Sequence, residues 1–365
     1  MQLRREDIRR WAPWTGKLLL AAALIALLIH TVQRDTLASL LLRANPFYIA
    51  AALLLLPLNL YFQFHKWGLL VRSRIPLATP QELRRSLLLG FTFGIVTPAR
   101  LGEFGGRAAG IRTRSDATLQ DTNAASRNTE SRKDGPPVAD KLALIGLTAI
   151  DKLATMVVTV LVGLFSLLLF CWRHPFMDPW LLSAILLLAI GAALIIYFRW
   201  NRRPVDGSTA PPPSAAANLN AASCASADPA AANKSYLRRR YDDVRSVLRD
   251  LDPARIQSLM LFSVLFYLTF LVQFFFLISA FGPIDTLSTV AGIGTIMLVK
   301  TVIPPVTIGE LGIREGASVY VLGHAGILAA AALNASLLLF AVNVFLPSLA
   351  GLALLLRLPR REAAQ

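Results

Sequence analysis

Glu103 and Arg107 stand four residues apart, and so do Glu310 and Arg314. At that spacing an acid and a base meet on one face of a helix. Their surroundings repeat as well. Gly102-Glu103-x-Gly105-x-Arg107 aligns without a gap on Gly309-Glu310-x-Gly312-x-Arg314, and Pro98 on Pro305, at an offset of 310 − 103 = 207 residues. Both motifs lie in apolar sequence, where ionisable side chains are expensive and by default mark a pathway or a site. Desolvated as a pair, they cost far less than either charge alone. Arg100 and Glu315 extend the two sets, Asp151 and Lys152 open an apolar run between them, and Lys300 precedes the second proline pair. An arginine fork suits a phosphate, because it donates twice to one anion. Arg100, Glu103, Arg107, Glu310, Arg314 and Glu315 are therefore the candidate substrate-binding residues. Asp151, Lys152 and Lys300 are candidate pathway residues. Asp151 and Lys152 are adjacent, so they point to different faces of a helix, cannot form an i,i+4 pair and should contact other segments. The competing interpretation is structural: each Glu and Arg only neutralise one another and lock broken helices.

Other chemistry is poorly represented. His30, His65, His174 and His324 are scattered, and Cys171 and Cys224 have neither disulfide-framework nor metal spacing. No phosphate-cradling GxxxxGK[ST] loop occurs, and no GxGxxG follows a strand. No nucleophile–base pair accompanies the acids. The expectation is a protein that is not an enzyme, with no catalytic residues, no metal and no cofactor, whose transport would be passive or ion-coupled.

The elements that must position these residues are membrane spans. The chain of 365 residues is 55% hydrophobic and only 16% charged, where a soluble protein carries about 25%. Its net charge of +15 sits in loops between apolar runs, the pattern that orients membrane proteins. Basic runs without interleaved aromatics argue against nucleic acid as a partner. Apolar runs occupy 18–32, 47–71, 138–171, 179–198, 256–281 and 327–356. Two more, 83–111 and 287–322, are broken by glycine and proline and do not suit uninterrupted helices. Re-entrant half-helices suit them better, and such backbone must be buried in protein or line a watery cavity. Asn59, Asn334 and Asn343 are expected to join helices by hydrogen bonds.

The expected fold is all-α: a polytopic membrane helical bundle with two re-entrant broken-helix segments in an inverted repeat. Residues 1–172 form the first membrane repeat, with a polar loop at 112–137. Residues 173–200 hold the first span of the second repeat, 201–235 a flexible cytoplasmic linker, and 236–365 the remainder, beginning with a surface helix over 236–251. Lys and Arg concentrate on one set of flanks, which places both termini in the cytoplasm. That assignment works only if 83–111 enters and leaves on the cytoplasmic side and 287–322 on the outer side, which inverts the halves. Inverted repeats with interrupted helices at the substrate path are a recurrent transporter plan. Two full short spans in place of each re-entrant segment would keep the same ends.

Gly94–Arg107 (GIVTPARLGEFGGR) and Val302–Gly316 (VIPPVTIGELGIREG) resemble the two signatures of the lysylphosphatidylglycerol synthase transmembrane-region family, also called flippase-like domain proteins. Ala149–Thr155 (AIDKLAT) resembles that family's acidic–basic pair opening a central span, with Thr155 where a second acid is frequent. The resemblance covers roughly 15–358. It implies a domain that moves lipids across the cytoplasmic (inner) membrane of a bacterium, and it matches Glu103, Arg107, Glu310, Arg314 and Glu315 to the family's polar motifs. The soluble aminoacyl-transfer domain of complete synthases is expected to be absent. The implied partners are membrane lipids, an anionic phospholipid or glycolipid, and a lipid-modifying enzyme. Two other functions compete: an intramembrane transferase using Glu103 or Glu310 as base, and a non-transporting scaffold for a lipid-modifying enzyme.

Overall fold

The computed structural model describes residues 34–97, 100–111, 137–175, 252–303 and 312–357, with scattered positions between 178 and 191. The expected span at 18–32, the two polar linkers and the helix at 236–251 fall outside these residues, as does Glu310. All but a few positions of the expected span at 179–198 do too. The chain divides into two units, residues 1–174 with 251–365, and residues 175–250. In the second, Ser183 Oγ donates to the Trp180 carbonyl at 2.8 Å.

In the first unit every regular element among the described residues is a helix. These are α1 (Arg34–Arg43), α2 (Pro46–Arg74), α3 (Pro80–Val96), α4 (Gly102–Ala109), α5 (Pro137–Arg173), α6 (Pro253–Ser279), α7 (Thr286–Val302), α8 (Ile313–His324), α9 (Ala329–Phe340), a π-helical turn (Ala341–Phe345) and α10 (Leu346–Arg357). The starts are written locally. Asn45 and Asp252 cap α2 and α6 just before prolines at the first helical position, where the missing N–H costs nothing. Thr79 and Glu82 form a reciprocal capping box on α3, and Asp285 Oδ2 accepts from Ser288 N at 3.0 Å to cap α7.

Among the described residues four helical stretches are long and apolar enough to cross a membrane: Pro46–Arg74, Ala143–Arg173, Pro253–Ser279 and Ala329–Leu356. The last runs through α9, the π turn and α10. Asp151 and Lys152 lie within the second of these stretches. Large apolar side chains such as Leu54, Leu161 and Phe165 stand exposed on the spans, a surface suited to lipid and not to water.

Helix directions follow from the contacts. Along α2 and α6, Tyr48 meets Phe276 and Phe62 meets Phe262, so these two helices are antiparallel. Gln273 Nε2 donates to the Ala52 carbonyl at 2.8 Å between them. A Cβ on Gly102 would strike the backbone of Phe93, one on Gly106 that of Leu89, and one on Gly110 that of Ser86. The glycine stripe 102, 106, 110 therefore lays α4 antiparallel on α3, backbone to backbone. Gly292 of α7 lies against Val321 and Leu322 of α8, which makes α7 and α8 a second hairpin. Each first arm packs on the other half's last span. On α3, Thr92 Oγ1 donates to the Ser348 carbonyl of α10 at 3.0 Å. On α7, Gly294 faces Ser166 of α5. Each second arm packs on its own half's last span, α4 on α5 and α8 on α9.

Asn59 Nδ2 donates to Asn343 Oδ1 at 2.8 Å, and Asn343 Nδ2 donates to Gln273 Oε1 at 2.7 Å. Asn343 belongs to the π turn, so one amide joins α2, α6 and the last span. Gln63 Nε2 continues the line along α2, donating to Asn59 Oδ1 at 3.0 Å.

Candidate functional site

The first cluster is assembled by four segments. α4 supplies Glu103 and Arg107, the turn before it Arg100, α5 Asp151 and Lys152, and α2 Lys66 and Trp67. Thr97 sets the turn: its Oγ1 accepts from Gly102 N at 2.6 Å, and its carbonyl accepts from Arg100 N at 3.2 Å. Between them Arg100 takes a left-handed backbone (φ 54°), the only non-glycine among the described residues to do so. Such conformations persist where the surroundings over-determine them, and they collect at functional sites.

Arg107 is the hub. Its Nη2 donates to Glu103 Oε1 at 2.7 Å and its Nη1 to Asp151 Oδ2 at 2.8 Å. Its guanidinium lies over the Trp67 ring, 5.0 Å from the centroid. The indole donates to Ser86 Oγ at 3.0 Å, and Ser86 Oγ donates to the Arg107 carbonyl at 2.5 Å. The fork, the ring and the backbone thus hold one geometry. Lys66 Nζ lies 3.0 Å from Asp151 Oδ1. That contact is an ion pair by distance, while the aligned donation goes to Thr155 Oγ1 at 2.5 Å. Lys152 Nζ donates to Glu103 Oε2 at 2.8 Å, and Arg100 Nη2 lies 3.3 Å from the same oxygen.

Burial grades across the cluster. Arg107, Glu103 and Lys66 are at most 2% exposed and Asp151 6%. The side chain of Arg100 is 14% exposed and that of Lys152 42%. Glu103 Oε2 therefore faces the two cations nearest the outside, and Glu103 Oε1 faces the sealed one. Asp151 and Lys152 both contact other segments: each pairs with α4, at Arg107 and Glu103, and Asp151 reaches Lys66 of α2 as well.

The second cluster is smaller. Arg314 Nη2 donates to Glu315 Oε1 at 2.6 Å and to the Ser336 carbonyl at 3.0 Å, and Arg314 Nε donates to Ser336 Oγ at 2.9 Å. Glu315 Oε2 accepts from Gly312 N at 2.7 Å, which caps α8. Gly312 has φ 102°, a backbone that side chains rarely adopt. Arg314 and Glu315 are fully buried between α8 and α9. The described partner of Arg314 is thus its sequence neighbour; Glu310 lies outside the described residues. Lys300 stands half-buried in the last turn of α7, where a cation complements the helix dipole.

Lys66, Trp67 and Ser336 are additions that sequence reasoning did not single out. Lys66 reads as part of a basic flank with Arg72 and Arg74. Its real position had a signal, since Asn59, Gln63 and Lys66 fall at i, i+4 and i+7 on one helical face.

Described elements that are all helical, four stretches among them fit to cross a bilayer and charges buried between them, define a multi-pass membrane protein. Residues 14–351 match the family described as the lysylphosphatidylglycerol synthase TM region, and the chain belongs to that family. No curated protein matches it.

Proposed function

We propose that this protein moves a lipid or lipid-linked glycan across the cytoplasmic membrane of a bacterium, with the headgroup handled by the polar clusters of the two hairpins. The observation that carries the reading is the first cluster. Four cations and two carboxylates, from α2, α4, α5 and the turn before α4, gather among the apolar helices. Charges at such depth are expensive and mark a polar pathway.

The packing supports an inverted repeat. α2 and α6 begin with the same cap–Pro start at an offset of 253 − 46 = 207 residues, the offset of the two motifs, and they run antiparallel. Equivalent helices of opposite direction are what an inverted repeat requires. The hairpin α3–α4 supports re-entry: α4 has eight residues, about 12 Å at 1.5 Å per residue, where a span needs about 20 residues. On this reading both termini are cytoplasmic, Arg100, Glu103, Arg107, Glu310, Arg314 and Glu315 contact the substrate, and Asp151, Lys152 and Lys300 line its route. The chain works on membrane lipids without catalysing a reaction, beside a lipid-modifying enzyme that makes or consumes its substrate.

Reconstitution tests this. Vesicles holding the wild-type chain should move a fluorescent phospholipid between leaflets. Arg100→Gln should slow that movement at least tenfold while melting within a few degrees of wild type, because the Arg100 side chain is held at the edge of the cluster by a 3.3 Å ion pair to Glu103 and a contact with the Phe91 ring. Equal rates in vesicles with and without the protein would refute transport. Normal movement by a stable Arg100→Gln chain would remove this cluster from the path.

A further inference from the structure

The two clusters are not equivalent, although their motifs repeat. Among the described residues of the second, Arg314 and Glu315 neutralise one another, and Ser336 accepts from Arg314 Nε and Nη2. Among the described residues the first holds Lys66, Arg100, Arg107 and Lys152 against Glu103 and Asp151, a formal charge of 4 − 2 = +2. Two surplus positive charges among spans call for an anion.

The donors that would take one are in place. Arg100 Nε and Arg107 Nε carry buried N–H groups with no partner among the described residues. Both lie against the glycine face of α3, one turn apart. A Cβ on Gly94 would stand 3.5 Å from Arg100 Nε, and a Cβ on Gly90 3.5 Å from Arg107 Nε. Lys152, the most exposed member, and Arg100 share a single acceptor, Glu103 Oε2.

We propose that Arg100 and Lys152 form a subsite for a phosphate oxoanion, and that Glu103 is the internal anion which the phosphate displaces from them. The proposal rests on the reading that the first cluster handles headgroups, and it adds what is recognised there and how. The Nε–Nη2 edge of Arg100 would grip two phosphate oxygens, as a guanidinium does with planar double donation, and Lys152 would take a third. Glu103 would keep Arg107 through Oε1, so the carboxylate is never left unpaired. A built-in competitor of this kind keeps the subsite neutralised between substrates and lets the phosphate leave again. The surplus charge selects lipids of net negative charge over zwitterionic ones with the same phosphodiester.

Equilibrium binding to the full chain in detergent tests this without reference to transport. The probes are dihexanoyl phosphatidylglycerol, dihexanoyl phosphatidylcholine and inorganic phosphate. Phosphatidylglycerol should bind at least tenfold tighter than phosphatidylcholine. Lys152→Gln and Arg100→Gln should each weaken it about tenfold, the size expected for one charged hydrogen bond. Glu103→Gln should tighten it, because the competitor has lost its charge. Should that variant fail to fold, Glu103→Asp keeps the charge but draws the carboxylate back, and should tighten binding as well. Competition by inorganic phosphate at concentrations near those of the lipid would make the free anion the ligand; its failure to compete would assign the site to the headgroup. Equal binding of the two lipids with no response to Lys152→Gln would overturn the subsite, as would weaker binding in both Glu103 variants. A chain that moves lipid yet binds both lipids alike would keep the transport reading and lose this one. Selective binding without movement would do the reverse.

Discussion

Arg107 spans two carboxylates from two helices with one planar group, and no other side chain reproduces that. Arg107→Lys should fail to reach Glu103 and Asp151 together. Arg107→Ala leaves both without their common partner, in apolar surroundings, and should cost about 3–5 kcal/mol, read as lost resistance to denaturation in detergent. The second cluster offers a cleaner pair. Arg314→Met strands Glu315, and Glu315→Gln strands Arg314, so each alone should be destabilising by about 3 kcal/mol or more. The double variant should cost clearly less than the sum. A double variant whose loss equals the sum would mean that the two charges do not interact, against the 2.6 Å contact between them.

Between residues and fold stand the hairpins, and their glycines are not equivalent. Gly106 and Gly110 touch the backbone of α3, where a Cβ would overlap Leu89 and Ser86, whereas Gly105 has nothing within 4 Å of the same position. Gly106→Ala and Gly110→Ala should each cost about 1–3 kcal/mol by overpacking. Gly105→Ala should be neutral or stabilising by up to about 1 kcal/mol, because alanine favours the helix. Melting of the three variants side by side decides it; an equal loss at Gly105 would contradict the antiparallel seating of α4. The start of α7 is sensitive to pH. The Asp285 carboxyl is held below its ordinary range by side-chain and backbone hydrogen bonds from Ser288, aided by Arg173. A carboxyl of depressed pKa stabilises the fold at neutral pH, and that contribution fades as pH falls through the lowered value. Asp285→Asn keeps a cap without the titrating group, so it should flatten the acid limb of a stability–pH profile.

For the whole molecule the decisive property is direction. An inverted repeat puts the loop at 112–137 and the connection between α6 and α7 on opposite sides of the membrane. In a Cys224→Ser background, Ser131→Cys should resist a membrane-impermeant maleimide in intact cells, while Pro283→Cys should react. In the wild-type chain Cys224 should also be protected. Labelling of Ser131→Cys and Pro283→Cys to the same extent would remove the inverted arrangement.

The primary sequence was enough to announce a membrane protein, because apolar runs and basic flanks are one-dimensional properties. It also exposed the repeated motif and the need for Asp151 and Lys152 to find partners on other segments, since these follow from spacing along one chain. The partners it could only leave open. Glu103 and Arg107 do pair at i, i+4, yet half of their contacts come from α2 and α5, and helical periodicity carries no information about which side chain of another helix arrives opposite. Lys66 has the composition of a flank and the position of a core residue, because the stripe it shares with Asn59 and Gln63 turns inward only when α6 and the π turn pack on α2. The two motifs are near-identical as strings. Among the described residues tertiary structure made them unlike, giving one a neutral Arg314–Glu315 pair and the other a surplus of positive charge, because net charge at a site is a sum over segments that only folding brings together.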